Sequence, residues 1–287
     1  MANLKEIRLR ITSVGSTMQI TSAMKMVSAA KLKRAQDAIV KMRPYANKLT
    51  ELLEKLSSNV DTSGSGSYSV KRDLSNVLIV PITSNRGLCG GFNAYIIKKV
   101  KSVIEENFKK SNISILSIGK KSSEHFSKNN FTVIDKQDNL FNDLSFENVS
   151  SVAEEIMKKF LSGDFDKVVL VYNQFKNAAT QIIQVENFLP IHPSNSKVEA
   201  SQDYIFEPER KEIVEELIPK SLKTQLFKAL LDSHAAEHGA RMTAMHKATD
   251  NASELKKDLT LTYNKARQAA ITGEILEIVG GAEALNG

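Results

Sequence analysis

From Leu4 to Leu56 the apolar residues fall in alternating steps of three and four: Leu4, Ile7, Ile11, Val14, Met18, then Leu32, Ala35, Ile39, Met42, Ala46, Leu49, Leu53 and Leu56. Steps of this kind place every one of those side chains on one face of a helix, so the spacing predicts a single helix of about fifty residues with one apolar seam. The seam positions 21, 25 and 28 are Thr, Lys and Ser, and the surrounding "SAMKMVSAA" spreads Met and Ala around the helix. Small side chains there permit close approach by something else. A second seam of the same spacing runs through Met245, Ala248, Ala252, Leu255, Leu259, Thr262, Ala266 and Ala269. Neither stripe is stable uncovered in water, so each helix is expected to cover the other. Because the intervening chain returns to its starting end, the pair is expected to be an antiparallel coiled coil. An ordinary helical bundle is the competing reading, and helices this long argue against it.

Between the seams the period changes. "NVLIVPIT" (76–83), "ISILSIG" (113–119), "TVIDK" (132–136), "KVVLVYNQF" (167–175) and "TQIIQVENFLPI" (180–191) read as strands. Helical stretches near 92–109, 120–129 and 146–162 separate them. Strands alternating with helices imply right-handed crossovers and a mostly parallel sheet. The predicted fold is therefore α/β plus coiled coil: an N-terminal helix over 1–58, an inserted α/β domain over 59–208 and a C-terminal helix over 209–287. "DTSGSGSYS" (61–69) reads as a flexible entry to the inserted domain, and Pro208 and Pro219 as punctuation before the second long helix.

Composition narrows the function. With 287 residues, 41% of them hydrophobic, the chain is long enough to bury a sizeable core. The single cysteine, Cys89, excludes an internal disulfide and a Cys-based zinc cluster and fits a reducing compartment. No apolar run is long enough to span a membrane and the N-terminus lacks a secretory pattern, so the mature chain is expected to start at or near Met1. Residues 1–56 hold eleven Lys/Arg against four acids, a net of +7, whereas the whole chain carries +6. Such a helix is either a solvated face or a surface for an acidic partner. Nucleic acid is disfavoured, because no aromatic side chains interleave with these cations.

Two motifs invite a catalytic reading. "TSNRGLCGGFN" (83–93) follows the first strand, where such sheets most often bind ligands. Its glycines at 87, 90 and 91 give G-x-x-G-G, which matches neither dinucleotide nor P-loop fingerprints, and no lysine follows to reach a phosphate. A tight turn with positive φ and close helix packing is the better account. "HAAEH" (234–238) has the H-x-x-E-H spacing of a class of zinc peptidases. It lies inside the long C-terminal helix without an evident third ligand, so helix-surface histidines and no metal are expected.

Taken together, "KEIRLRITSV...MQITSAMKMVSAAKL", "SNRGLCGGFN", "DYIFEP" and "ARMTAMHKATDNA...LTYNKARQAAITGEILEIVGGAEAL" stand in an order and spacing that resembles the γ subunit, the central rotor shaft, of F-type ATP synthases. The resemblance covers essentially the whole chain. It implies a Rossmann-like inserted domain without nucleotide chemistry, no cofactor and no catalytic residue. It also implies a rotor that couples ion-driven rotation of the membrane ring to sequential conformational change in catalytic beta subunits. The implied partners are alpha and beta subunits at 3:3:1, the epsilon subunit and the c-ring, at the cytoplasmic face of a bacterial inner membrane and peripheral to it.

Position by position, the resemblance assigns Met24, Lys25, Arg241, Arg267, Gln268 and Thr272 to contacts with beta, and Tyr204 and Glu207 to the foot that touches epsilon and the membrane ring. Ile275, Ile278, Val279 and Leu285 would form an apolar tip. The chain departs from the plant chloroplast form, which carries a regulatory cysteine pair, so thiol control of rotation is not expected. The rival readings are a nucleotide-using enzyme, and a coiled-coil adaptor or nucleic-acid-binding arm on a non-catalytic α/β domain. Neither accounts for both terminal motifs.

Overall fold

The computed structural model describes residues 4–57, 68–70, 72–191 and 210–286. The elements are α1 (Leu4–Ser57), β1 (Asn76–Pro81), α2 (Phe92–Asn107), β2 (Asn112–Ser117), α3 (Lys120–Lys128), β3 (Thr132–Lys136), α4 (Phe146–Leu161), β4 (Lys167–Phe175), β5 (Gln181–Leu189) and α5 (Arg210–Asn286). Strands and short helices fall within two residues of their expected bounds. The expected entry segment up to residue 67, Pro208, Tyr204 and Glu207 lie outside the described residues, as do the side chains of Leu53, Leu56 and Leu285. Among the described residues no helix is long and apolar enough to cross a membrane.

Contacts divide the chain into two compact units, Met1–Ser28 with Met242–Gly287, and Ala29–Arg241. In the first unit α1 and α5 run antiparallel. Thr249 donates a hydrogen bond to the Thr21 hydroxyl at 2.8 Å. Six residues back along α1, the place where a side chain on Gly15 would sit lies 3.7 Å from Nζ of Lys256, seven residues forward along α5. The polar seam position 21 is thus satisfied across the pair, and Thr21 in turn donates to the Met18 carbonyl at 3.1 Å.

The seam on α5 differs from its sequence reading. Met245 and Ala252 are buried, but Leu255 is 42% exposed and Thr262 and Ala269 are exposed. Leu259 and Ala266 are half-buried as expected, and Lys256 and Tyr263 take the places of Leu255 and Thr262. The repeat of seven residues is kept: Ala252, Leu259 and Ala266 stay in the stripe, and its second position moves one residue on, from 255 and 262 to 256 and 263. Extending the Thr21–Thr249 register sets Leu4 level with about residue 266, and α5 then continues for about 20 residues, or about 30 Å.

In the second unit the sheet has the order β3-β2-β1-β4-β5, parallel except for β5, which pairs antiparallel with β4. Both faces are covered, which is why β1 and β4 read as unbroken apolar runs rather than alternating ones. On one face Leu78, Val80 and Leu170 pack with α4 (Val149, Ile156, Phe160) and with Leu222, Leu226 and Leu230 of α5. On the other Ile79, Ile115 and Val169 pack with α2 (Phe92, Ile96, Val100), with Phe126 of α3 and with Ala236 and Ala240 of α5. The Ser145 hydroxyl caps α4 by accepting from Asn148 N at 3.3 Å, with Glu147 in the first turn and Lys158 and Lys159 in the last.

Pro219 does not delay α5, which starts at Arg210 and runs through it. A proline inside a helix costs about 3 kcal/mol. Ile218 and Leu222, on either side of it, are 6% and 2% exposed, and burying each contributes about 1.5–3 kcal/mol, which offsets the break.

The observed seams make a direct test. Leu32→Ala, at a buried position of α1, should lower stability by about 2–5 kcal/mol. Leu255→Ala should change it by less than about 0.5 kcal/mol. Urea unfolding of the full chain followed by circular dichroism separates the two, and equal losses would contradict the register.

Candidate functional site

The loop after β1 is built around two left-handed residues. Gly90 has φ 60°, a conformation glycine adopts freely, and Leu88 has φ 61° and is exposed at the tip. Gly87 needs no such freedom, so leucine rather than the first glycine takes the second positive-φ position. Asn93, in the first turn of α2, stitches the loop together: its Oδ1 accepts from Ser84 N at 2.9 Å, and its Nδ2 donates to Ser84 Oγ at 2.8 Å and to Cys89 Sγ at 3.2 Å. Cys89 is 1% exposed, and burial pushes its thiol up, against the pull of Ser84 and Arg241. A buried protonated thiol is a poor nucleophile.

In this strand order the topological switch lies between β1 and β4, the usual ligand crevice. Here α5 occupies it. Arg241 Nη2 donates to the Arg86 carbonyl at 3.2 Å and the Gly87 carbonyl at 3.4 Å, while its Nη1 pairs with Glu237, one turn back. Both side chains are almost fully buried. Burial pushes the Glu237 carboxyl up and the Arg241 guanidinium pulls it back. A phosphate cradle presents N–H groups to an anion. This loop presents carbonyls to a cation, the opposite polarity, and Phe92 N is already bonded to the Cys89 carbonyl at 3.4 Å.

His234 and His238 are not helix-surface residues. His238 is 5% exposed, and His234 is half-buried and stacked on Phe141 with ring centroids 5.9 Å apart. Their Nε2 atoms lie 3.1 Å apart. His238 Nδ1 is buried without a hydrogen-bond partner, which fits His238 donating through Nε2–H and leaving a bare acceptor, less costly than an orphaned donor. Burial first, then Lys31 and Arg241, lowers His234 to about 4. Burial, the neighbouring His234, Arg241 and Lys31 lower His238 to about 3. The H-x-x-E-H spacing therefore serves packing. Its glutamate is turned to Arg241, and the described residues contain no group of three or more His, Cys, Asp or Glu suited to a metal ion. The Glu237–Arg241 pair has the favourable i,i+4 order and was legible in the sequence, but the histidine spacing drew the reading away from it.

The residues assigned to partner contacts divide by exposure. Met24 and Lys25 are half-buried, Arg267, Gln268 and Thr272 are exposed, and Arg241 is buried on the loop. Ile275, Ile278 and Val279 are 54%, 71% and 50% exposed.

Fold and loop together define a class: a Rossmann-like domain inserted between two long terminal helices, its ligand crevice filled by one of them. A family model described as ATP synthase matches residues 3–285. The chain is 63% identical to the ATP synthase gamma chain of Flavobacterium johnsoniae and 61% identical to that of Christiangramia forsetii, with the whole of both chains covered in each case. A chain of the Tetrahymena thermophila mitochondrial ATP synthase central stalk and c-ring superposes with a TM-score of 0.61 at 25% identity, over 80% of this chain and 99% of that one. A Euglena gracilis mitochondrial ATP synthase chain shares the fold with a TM-score of 0.69 at 23% identity, over 98% and 94%. The chain belongs to the ATP synthase gamma chain family, whose members are non-catalytic subunits of the complex.

The buried histidines carry a pH dependence. The unfolded pair titrates near 6.5, so below that pH the unfolded chain takes up protons that the folded one refuses until about 4 and 3. Their contribution is complete above pH 6.5 and is lost as pH falls through 4. Glu237 and Asp232, whose carboxyls burial pushes up, act with the opposite sign over this range. Relative to the wild-type chain, His234→Gln with His238→Gln should flatten the fall in stability between pH 6.5 and 4 by up to about 1.36 kcal/mol per pH unit for each histidine. Melting curves across that range provide the check, and an unchanged slope would show that the pair is not held neutral.

Arg241→Ala leaves Glu237 buried and unpaired and should cost about 3–5 kcal/mol. The double replacement of Glu237 and Arg241 by Leu should recover much of that loss in denaturant unfolding.

Proposed function

We propose that the chain is the central-stalk rotor of an F-type ATP synthase, passing the rotation of a membrane-embedded c-ring to a catalytic ring of three alpha and three beta subunits, with the epsilon subunit at its foot. The observation that carries this reading is the C-terminal stretch of α5, a helix whose exposed side chains include both an apolar set, Ile275, Ile278 and Val279, and the polar trio Arg267, Gln268 and Thr272. Exposed apolar residues on one helix mark a surface meant to be covered. An apolar sleeve of alpha and beta subunits is the proposed cover, and Leu285 is proposed to belong to the same tip.

A shaft without threefold symmetry meets each beta subunit with a different face. Those differential contacts bias the three subunits between states of different nucleotide affinity, and turning the shaft moves each through the cycle. Met24, Lys25, Arg267, Gln268 and Thr272 are proposed to make these contacts directly. Arg241 is proposed to act through the loop that it holds. Tyr204 and Glu207 are proposed to form the foot against epsilon and the c-ring. The complex is proposed to sit peripherally on the cytoplasmic face of the bacterial inner membrane. The excess of positive charge on α1 favours an acidic partner surface, and no feature favours the adaptor or nucleic-acid reading.

Co-expression with alpha and beta subunits should yield a complex at 3:3:1. Replacing Arg267 and Gln268 together by Ala should alter multisite ATP turnover and coupling in that complex, each lost charge-assisted bond counting for on the order of 1.5–3 kcal/mol in the orientation that makes it. The free chain should melt with less than about 0.5 kcal/mol of change, as exposed substitutions do. A lower melting point combined with unchanged turnover would assign these residues to the helix pair instead.

A further inference from the structure

A second junction lies on α5, away from the loop after β1, and neither the loop nor the partner contacts make use of it. Arg43 of α1 directs one guanidinium nitrogen, Nη2, at two acceptors: Oδ1 of Asp232 on α5 and the carbonyl of Phe175, the last residue of β4, both at 3.4 Å. Three elements meet at one cation. The Asp232 side chain is fully buried and its second oxygen has no hydrogen-bond partner, whereas the Arg43 side chain is 44% exposed. Burial pushes the carboxyl up, and Arg43 and Lys228 pull it back. A buried ion pair with a long bond and an unpaired oxygen is a poor source of stability, since a well-packed apolar pair would do as well. What it supplies is a fixed geometry.

The second contact is steric. Seven residues beyond Asp232, and so on nearly the same face of α5, Gly239 lies against the turn between β4 and β5. A Cβ on it would come within 3.2 Å of Ala178 Cα, 3.3 Å of the Ala178 carbonyl oxygen and 3.4 Å of the Phe175 ring. That turn is itself held tightly: Asn177 Oδ1 accepts from Ala179 N at 3.0 Å and from Thr180 N at 2.7 Å, and Asn177 N donates to the Thr180 carbonyl at 3.2 Å. One hairpin is therefore tied to α5 at two heights about 10 Å apart, once through the Arg43 bridge to Asp232 and once by a close backbone approach at Gly239. Turning α5 by a single residue would carry Asp232 away from Arg43. It would also bring His238 or Ala240, both bearing a Cβ, against Ala178.

We infer that Arg43, Asp232 and the β4–β5 hairpin seated on Gly239 form a torsional clasp, which locks α1 and α5 against rotation relative to the sheet so that torque applied to the sheet domain reaches both helices without slip. Arg43 and Asp232 are positioning residues in this account. The inference rests on the rotor reading above.

The test uses the complete complex in membrane vesicles. Arg43→Ala with Asp232→Asn removes both charges without leaving a buried one unpaired. It should leave ATP hydrolysis within about twofold of wild type, less than about 0.5 kcal/mol on the barrier, and lower proton pumping per ATP, a loss of coupling rather than of turnover. The torsional stiffness of the stalk, read from the angular fluctuations of a bead on the sheet domain, should fall with it. Assembly at 3:3:1 with unchanged pumping per ATP and unchanged stiffness would overturn the clasp and leave the rotor reading standing. Should the double variant not assemble, Asp232→Leu alone removes the acceptor and leaves only the half-exposed Arg43 without its acid, and wild-type stiffness in that variant overturns the clasp equally. A wild-type complex that hydrolyses ATP without any pumping would sink the rotor reading, and the clasp with it.

Discussion

Residues 218–240 of α5 put apolar side chains into both cores of the sheet domain, Leu222, Leu226 and Leu230 on one face and Ala236 and Ala240 on the other. A mostly parallel sheet is stable only when both faces are covered. One helix that serves both faces has to pass beside the ends of the strands, and this requirement fixes much else. It places Arg241 where the loop carbonyls after β1 need a donor, and it puts Gly239 against the turn after β4.

The same constraint fills the place where a fold of this kind commonly hosts nucleotides. The crevice at the switch between β1 and β4 is where a dinucleotide or a flavin would bind in related architectures. In this chain the loop beside it holds the Glu237–Arg241 pair. The fold alone does not decide function, and what decides it here is the polarity of the loop, whose carbonyls face a cation.

Polar groups inside the molecule mark geometry more than stability. Thr21 interrupts the apolar seam of α1 and pairs with Thr249 of α5, so a shift of one helix past the other would break that bond while each hydroxyl kept a carbonyl of its own helix, Met18 and Met245. Arg241 and Arg43 each join α5 to another part of the second unit through a backbone carbonyl and a buried acid. A buried charge that loses its partner costs several kcal/mol, so such junctions tolerate little displacement.

The heptad steps from Leu4 onward, the five apolar runs and the motif "ARMTAMHKATDN" were enough to read the two long helices, the bounds of every strand to within two residues and the family. These features are local: periodicity of 3.6 or an unbroken Val/Ile run follows from the solvent exposure of an element, which each sequence window reports by itself. The move of the second seam position of α5 from Leu255 and Thr262 to Lys256 and Tyr263 was not legible, because positions three and four residues on from Ala252 and Leu259 lie on either side of the same face and only the partner helix decides which is covered. That the helix runs through Pro219, read as punctuation before it, was not legible either, since the burial of Ile218 and Leu222 that outweighs the proline comes from strands far away in the chain. The sequence alone also put His234 and His238 on a surface. Whether a helical histidine meets water or Phe141 depends on what packs over it, and that packing joins segments nearly a hundred residues apart. Only the tertiary structure could decide it.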